Sequence, residues 1–340
     1  MPRRARPPSE GRSVTHLTPP GECEFPSPDP ALEYRNRSLT FDGSRVLRSW
    51  GPVRRPFVVA VERAGHRWRV EGFGVDASGA RSAVRSMFNL GHRLAPFYRQ
   101  VRAEPTLRGM EREGFGLRPP RDASLYESLL YAIVGQQLSV RAATTLRERL
   151  DAATEAKRSI GGVEVAVPPD PRRLMRLGVD GLRGVGLSRA KASAIVSLAE
   201  REIAGSFRGE RFDRQTSEAV VAALDAEPGV GRWTAENAVL RGLGRTDVFV
   251  AGDLGVRMAL GAYWGRSAPV PEEEARDWAA RHFPGWGSYA TLYLWRRWVL
   301  DGTPRPGRGA LTPRRAIGED PAGRSRSPDA APRRGGARSP

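Results

Sequence analysis

Between residues 38 and 75 the apolar positions fall into short runs, "SLTF", "VLRSW", "PFVVAVE" and "RWRVEGFGV", separated by Gly, Asp and Pro. Runs of this length, rich in Val, Phe and Trp and bounded by turn residues, predict β-strands. From Ala80 the spacing turns helical in "ARSAVRSMFNLGHRLAPFYRQV", and "LRPPRD" breaks the chain near Arg118. Beyond that break the helical period dominates. Ser124 with Glu127 makes a capping-box pattern ahead of "LYESLLYAIVGQQL". Ser139 precedes "VRAATTLRERL", and Ser188 precedes "RAKASAIVSLAEREIA", which Gly205 closes. Five further helical segments run from "TSEAVVAALDAE" at Thr216 to "GSYATLYLWRRWVL" at Gly287. The pattern predicts an α+β fold: a small antiparallel β-rich N-terminal domain over 33–118, followed by an all-helical region over 119–304. Residues 1–32 and 305–340 lack periodicity and are rich in Pro, Ser, Gly and Arg. They read as a disordered lead and a disordered Arg-rich tail.

Charge adds a partner to this picture. The 340 residues carry a net charge of +17, which favours a polyanion such as nucleic acid. Lys157 and Lys191 are the only lysines, so arginine supplies nearly all the positive charge. Cys23 is the only cysteine, which excludes an intramolecular disulfide, a thiolate zinc site and a Cys-ligated iron–sulfur cluster. His16, His66, His92 and His282 are scattered without ligand spacing, so no metal site is expected. No apolar run reaches membrane-spanning length, and the first residues hold no apolar h-region. No membrane partner and an intracellular, cytoplasmic location beside the nucleoid are therefore expected.

The stretch "PGVGRWTAENA", residues 228–238, places Pro228, Gly229, Val230 and Gly231 between two helical segments, with Trp233 and Thr234 in the first turn of the second. Glycines here permit a tight turn and close approach of backbone N–H groups to a ligand. A helix N-terminus at that point favours a phosphate. A plain helical hairpin with a glycine turn reads the same way, and "RGVG" at 183–186 is taken as such a turn. Downstream, Asp253 follows Gly252 and precedes "LGVRMALG", the position of a helix N-cap.

Three segments together resemble one family. "EPGVGRWTA" from Glu227 resembles the helix-hairpin-helix signature of DNA glycosylases of the helix-hairpin-helix-GPD superfamily. "DVFVAGD" from Asp247 resembles the loop that ends in that superfamily's catalytic aspartate, and "YAIVGQQLSVRAA" from Tyr131 resembles the helix and loop that enter the base stack. The resemblance spans about 33–304 and is strongest to the AlkA-like 3-methyladenine DNA glycosylase II branch. It implies a DNA N-glycosylase acting on double-stranded DNA, gripped by a hairpin of Pro228, Gly229, Val230, Gly231 and Thr234.

On that resemblance Asp253 is the catalytic carboxylate, suited to stabilise a sugar with oxocarbenium character and to activate water. Asp247 is the rival carboxylate and reads as loop-structuring. Trp233 stands where bifunctional members carry a nucleophilic lysine, so the expectation is a monofunctional enzyme that leaves an abasic site. Trp233, Asn237 and Trp295 are the expected base pocket, with Asn237 where the pattern has a tyrosine; Trp286 and Trp298 are assigned to packing or surface. Gln137 matches the position that plugs the duplex after base flipping, where the AlkA-like pattern has an apolar residue and other branches often have glutamine, and Gln136 alternatively supports the turn. No cofactor is required, although the resemblance implies a monovalent cation on hairpin carbonyls. A monomer is expected. The expected substrates are alkylated purines; a glycosylase for oxidised or deaminated bases and a non-catalytic DNA-binding protein are the alternatives.

Overall fold

The computed structural model describes residues 11–20, 23 and 39–301. Five antiparallel strands, β1 (Arg12–Leu17), β2 (Thr40–Asp42), β3 (Arg45–Trp50), β4 (Phe57–Ala64) and β5 (Arg67–Phe73), form one sheet in the order β1-β5-β4-β3-β2. In the centre, Val61 lies opposite Val70 and Val59 opposite Gly72. Helix α1 (Ala77–Met87) covers one face, packing Ala80, Ala83, Val84 and Met87 on Val46, Val59, Val61 and Val70.

The expected lead over 1–32 does not hold as a whole, because Arg12–Leu17 is an edge strand. Its segment is polar and only Leu17 is buried, so side-chain pattern alone does not announce it. Arg12 donates to Glu71 at 2.7 Å, and the Ser13 hydroxyl donates to the Val75 carbonyl at 2.9 Å. The tail over 305–340 lies outside the described residues.

The second half is not all helical either. Strands β6 (Lys157–Ile160) and β7 (Val163–Ala166) form a hairpin whose Val165 packs, with Val167, on Leu47, Val58, Ala60 and Phe73, the opposite face of the sheet. With both faces covered, β4 reads as an uninterrupted apolar run, "VVAV", rather than an alternating one.

Among the described residues eleven more α-helices follow α1: α2 (Ala95–Ala103), α3 (Met110–Glu113), α4 (Leu125–Gly135), α5 (Val140–Ala153), α6 (Pro171–Val185), α7 (Arg189–Ile203), α8 (Ser217–Asp225), α9 (Arg232–Ala238), α10 (Leu254–Tyr263), α11 (Glu272–His282) and α12 (Gly287–Asp301). They sort into two cores. Helices α4 to α9 enclose one, with α4 buried almost all round. The other joins α10, α11 and α12 to α2 and the segment through Leu117. Residues 94–117 thus pack with the C-terminal helices rather than with the sheet, although they lie before the expected boundary at 118. The sheet itself is fastened to α4 by Arg48, which donates to both carboxylate oxygens of Glu127 at 3.0 and 3.1 Å and lies 3.7 Å from Asp122.

Candidate active site

Helices α8 and α9 flank the predicted hairpin turn. Gly229 has φ +74°, and a Cβ there would run into the Ala194 side chain on α7, so the fold itself demands glycine. Val230 is buried in the helical core and holds the turn down. Gly231 differs: its φ is −96°, and a Cβ would meet nothing within 4 Å. Its missing side chain is not required by internal packing. No side chain caps α9, whereas Ser139, Ser188 and Thr216 cap α5, α7 and α8. The first-turn amides of α9 are therefore uncovered by any cap at an exposed glycine, a backbone site of positive potential. Arg232 adds little net charge there, because it pairs with Glu218 at 2.8 Å and Glu236 at 3.0 Å.

From this hairpin α9 carries Trp233 to Asp253. The Trp233 indole N–H donates to Asp253 Oδ2 at 3.1 Å, and the Trp295 indole N–H donates to Oδ1 at 3.0 Å. The backbone N–H of Val256 donates to the same Oδ1 at 3.1 Å, which makes Asp253 the N-cap of α10 as expected. Three N–H groups from three helices thus fix a half-buried carboxylate.

The loop before it is fixed as firmly. Val248 N donates to Ser288 Oγ and Val250 N to Thr291 Oγ1, both on α12. A Cβ at Gly287 would lie 2.8 Å from Phe249 N, so this glycine lets loop and helix approach. Ser288, Thr291 and Trp295 follow each other at helical spacing on the loop-facing side of α12. Asp247 accepts from Ser217 Oγ at 2.6 Å and is loop-structuring, as read.

Of the sequence-predicted residues, the structure brings Trp233, Trp295 and Asp253 together. Asn237 is buried and its amide donates to the Trp233 carbonyl one turn back, at 3.0 Å. Gln137 stands apart on the loop after α4, exposed and with φ +56°. Trp286 and Trp298 pack against the C-terminal core.

Three residues carry more than sequence reasoning assigned. Gln136 donates to the Gly229 carbonyl and to Thr234 Oγ1, each at 2.9 Å, and so ties the Gln137 loop to the hairpin. Lys191, distant in sequence, donates to the carbonyls of Val134 and Gln136 at 2.9 and 2.7 Å. Burial lowers its pKa from the ordinary lysine value. Arg241 is buried in a π-helical turn at Val239–Leu243, with its guanidinium 5.9 Å from the centre of the Trp295 ring. The four-residue step from Trp233 through Asn237 is the available signal for Arg241, and the reading of Gln136 as a support of the turn anticipates its contacts; nothing local marks Lys191.

Residues 130–280 match the family model described as HhH-GPD superfamily base excision DNA repair protein. The chain is 26% identical over 213 residues to the DNA-3-methyladenine glycosylase of Bacillus subtilis, a match covering 63% of this chain and 70% of that one. It is 31% identical over 180 residues to DNA-3-methyladenine glycosylase 2 of Escherichia coli, covering 53% of this chain and 60% of the relative, less than two thirds of its length. Among solved structures, the 3-methyladenine DNA-glycosylase from Archaeoglobus fulgidus is similar with a TM-score of 0.67 and 25% identity, over 79% of this chain and 92% of that one. Residues 130–280, which hold the hairpin and the Asp253 loop, thus form an HhH-GPD domain.

Proposed function

We propose that the protein is a monofunctional DNA glycosylase that flips alkylated purines of the 3-methyladenine type out of double-stranded DNA and hydrolyses their N-glycosidic bond, the opening step of base-excision repair. The observation that carries this reading is the Asp253 carboxylate held between the Trp233 and Trp295 indoles. Departure of the base leaves positive charge on the sugar, and a fixed carboxylate stabilises it without reorganising. Indoles beside that carboxylate suit an alkylated, electron-poor base, which stacks well on an aromatic face. Gly231 and the first turn of α9 would grip a phosphate of the damaged strand through backbone N–H groups, positioning the protein without reading sequence. Gln137 would fill the gap left by the flipped base.

The hairpin's backbone carbonyls are neutral oxygen donors of the kind that hold a monovalent cation, and Gly229 O, which already accepts one bond from Gln136, keeps a second lone pair for it. Such an ion would add positive charge beside the bound phosphate. Trp233 at the nucleophile position leaves water as the attacking group and an abasic site as the product. A monomer working inside the cell fits this chemistry. The reading of oxidised or deaminated substrates rested on a polar Asn237, and the engagement of its amide with Trp233 within α9 lends it no support.

Asp253→Asn tests the assignment. Oδ1 takes two donors and Oδ2 one, so an asparagine oxygen at the Oδ1 position keeps two and turns its NH2 towards Trp233. Single-turnover base release should fall by about 100-fold or more, a loss typical of a transition-state charge stabiliser, while affinity for abasic-site duplex is retained. Retained turnover would refute the catalytic role. Absence of base release by the wild type, with duplex binding intact, would favour the non-catalytic alternative.

A further inference from the structure

Helix α4 ends at Gly135, where Gln136 N donates to Ile133 O and Leu138 N to Gly135 O, while the Val134 carbonyl is met by a side chain. The partial negative charge of a helix C-terminus attracts a cation. Lys191 supplies one from the first turn of α7, with two N–H groups on Val134 O and Gln136 O. Gln136 is thereby held by its backbone from one side. Its side chain holds it from the other, through Gly229 O and Thr234 Oγ1 of the hairpin.

The next residue is Gln137, in a left-handed conformation that a non-glycine residue adopts only when its surroundings impose it. After it, Ser139 Oγ accepts from Ala142 N and starts α5. The exposed Gln137 side chain therefore stands on a short arch pinned at both feet. Ala194, one turn along α7 from Lys191, abuts Gly229 and closes the cluster from behind.

We propose that Lys191, acting with Gln136, is a positioning residue that locks the Gln137 loop to the hairpin, so that seating a phosphate on the hairpin and inserting Gln137 into the stack are one event. The inference rests on the glycosylase reading. In this arrangement Lys191 touches neither DNA nor the base, and its charge is used inside the protein. Two other uses of a lone half-buried lysine beside a DNA-facing loop, a phosphate contact and an amine nucleophile, make different predictions.

The test compares the wild type with Lys191→Met, Lys191→Arg and Gln136→Ala. Affinities are measured for undamaged duplex and for duplex with a stable abasic-site analogue, each over a salt series. A 2-aminopurine beside the analogue reports unstacking, and single-turnover release is followed on methylated duplex. Lys191→Met should bind undamaged duplex with the wild-type salt slope but lose about 10-fold in preference for the abasic analogue and in release rate, equivalent to about 1.4 kcal/mol. Lys191→Arg, which can still reach both carbonyls, should recover most of that loss.

Equal weakening on both duplexes with the salt slope reduced by about 0.9 would instead make Lys191 a phosphate contact and overturn the proposal. So would wild-type behaviour of Lys191→Met, or failure of Lys191→Arg to rescue it. If urea denaturation shows Lys191→Met unfolded, Gln136→Ala decides by the same loss of preference, which wild-type behaviour would contradict. Should the wild type release no methylated base, the glycosylase reading fails, yet binding preference and 2-aminopurine signal still decide the positioning role.

Discussion

Gly231 offers a substitution whose effects on folding and on binding separate cleanly. Its backbone, φ −96° and ψ 170°, is extended and open to any residue, and a Cβ there would meet nothing within 4 Å. A leucine therefore fits the free protein. The cost is the difference between glycine and an apolar residue at an N-cap, about 0.5–1 kcal/mol. In the proposed complex the same side chain would stand between the first-turn amides of α9 and a phosphate. Losing one hydrogen bond to a charged group costs about 1.5–3 kcal/mol, so affinity should fall about 10- to 150-fold. Gly229→Ala should behave in the opposite way. There the φ of +74° and the Ala194 side chain both oppose a Cβ, and about 1–3 kcal/mol of stability should be lost. Fluorescence anisotropy on undamaged and abasic-site duplexes, with urea denaturation of each variant, separates the two effects. Gly231→Leu should weaken both duplexes alike while remaining folded. Wild-type affinity, or a loss confined to the abasic duplex, would refute the backbone grip.

Other features give independent checks. Arg48→Met removes the guanidinium beside two buried carboxylates, Glu127 and Asp122, and should cost about 3–5 kcal/mol in urea denaturation; a loss below 1 kcal/mol would mean that the sheet is held by apolar packing alone. Burial, aided by Arg118 and Arg121, lowers the His92 pKa to about 4, and its Nδ1 pairs with Tyr289 Oη at 2.8 Å. The unfolded chain then binds more protons than the folded one between about pH 4 and 6.5, so the stability His92 contributes is present above 6.5 and fades as the pH drops. Replacing it in His92→Asn should therefore cost more at pH 7 than at pH 5 by chemical denaturation, and an equal cost at both would contradict the shift. On the proposed monofunctional reading, borohydride should trap no covalent adduct with lesion-bearing DNA, since Lys191 is spent on two carbonyls and Trp233 would stand in place of a nucleophilic lysine. A trapped band that disappears in Lys191→Met would overturn both assignments.

What could be read from the residues was local. The N-caps at Ser139, Ser188 and Asp253 and the hairpin at Gly229 depend on neighbours a few positions away, and the spacing displays them. Ser124 and Glu127 show the limit: the serine caps α4, but the glutamate reaches Ala123 N and Arg48 rather than closing the box. The hairpin at β6 and β7 turns on Gly161 and Gly162, both at positive φ, a local signal that sits within a helical stretch of sequence. Arg12–Leu17 gave little, since an edge strand paired on one side needs few apolar residues. The approach of α7 to the Gln137 loop, and of Ser288 and Thr291 to the aspartate loop, are products of tertiary packing that no local spacing encodes.

The central claim is that Asp253, between two indoles, releases alkylated purines through water. Methylated genomic duplex incubated with the full chain, with the supernatant analysed by mass spectrometry and the DNA checked for breaks, tests it most directly. Free 3-methyladenine and 7-methylguanine over DNA with abasic sites and an unbroken backbone is the predicted result, absent with Asp253→Asn. Strand cleavage, release undiminished in Asp253→Asn, or no methylated base from the wild type would contradict it.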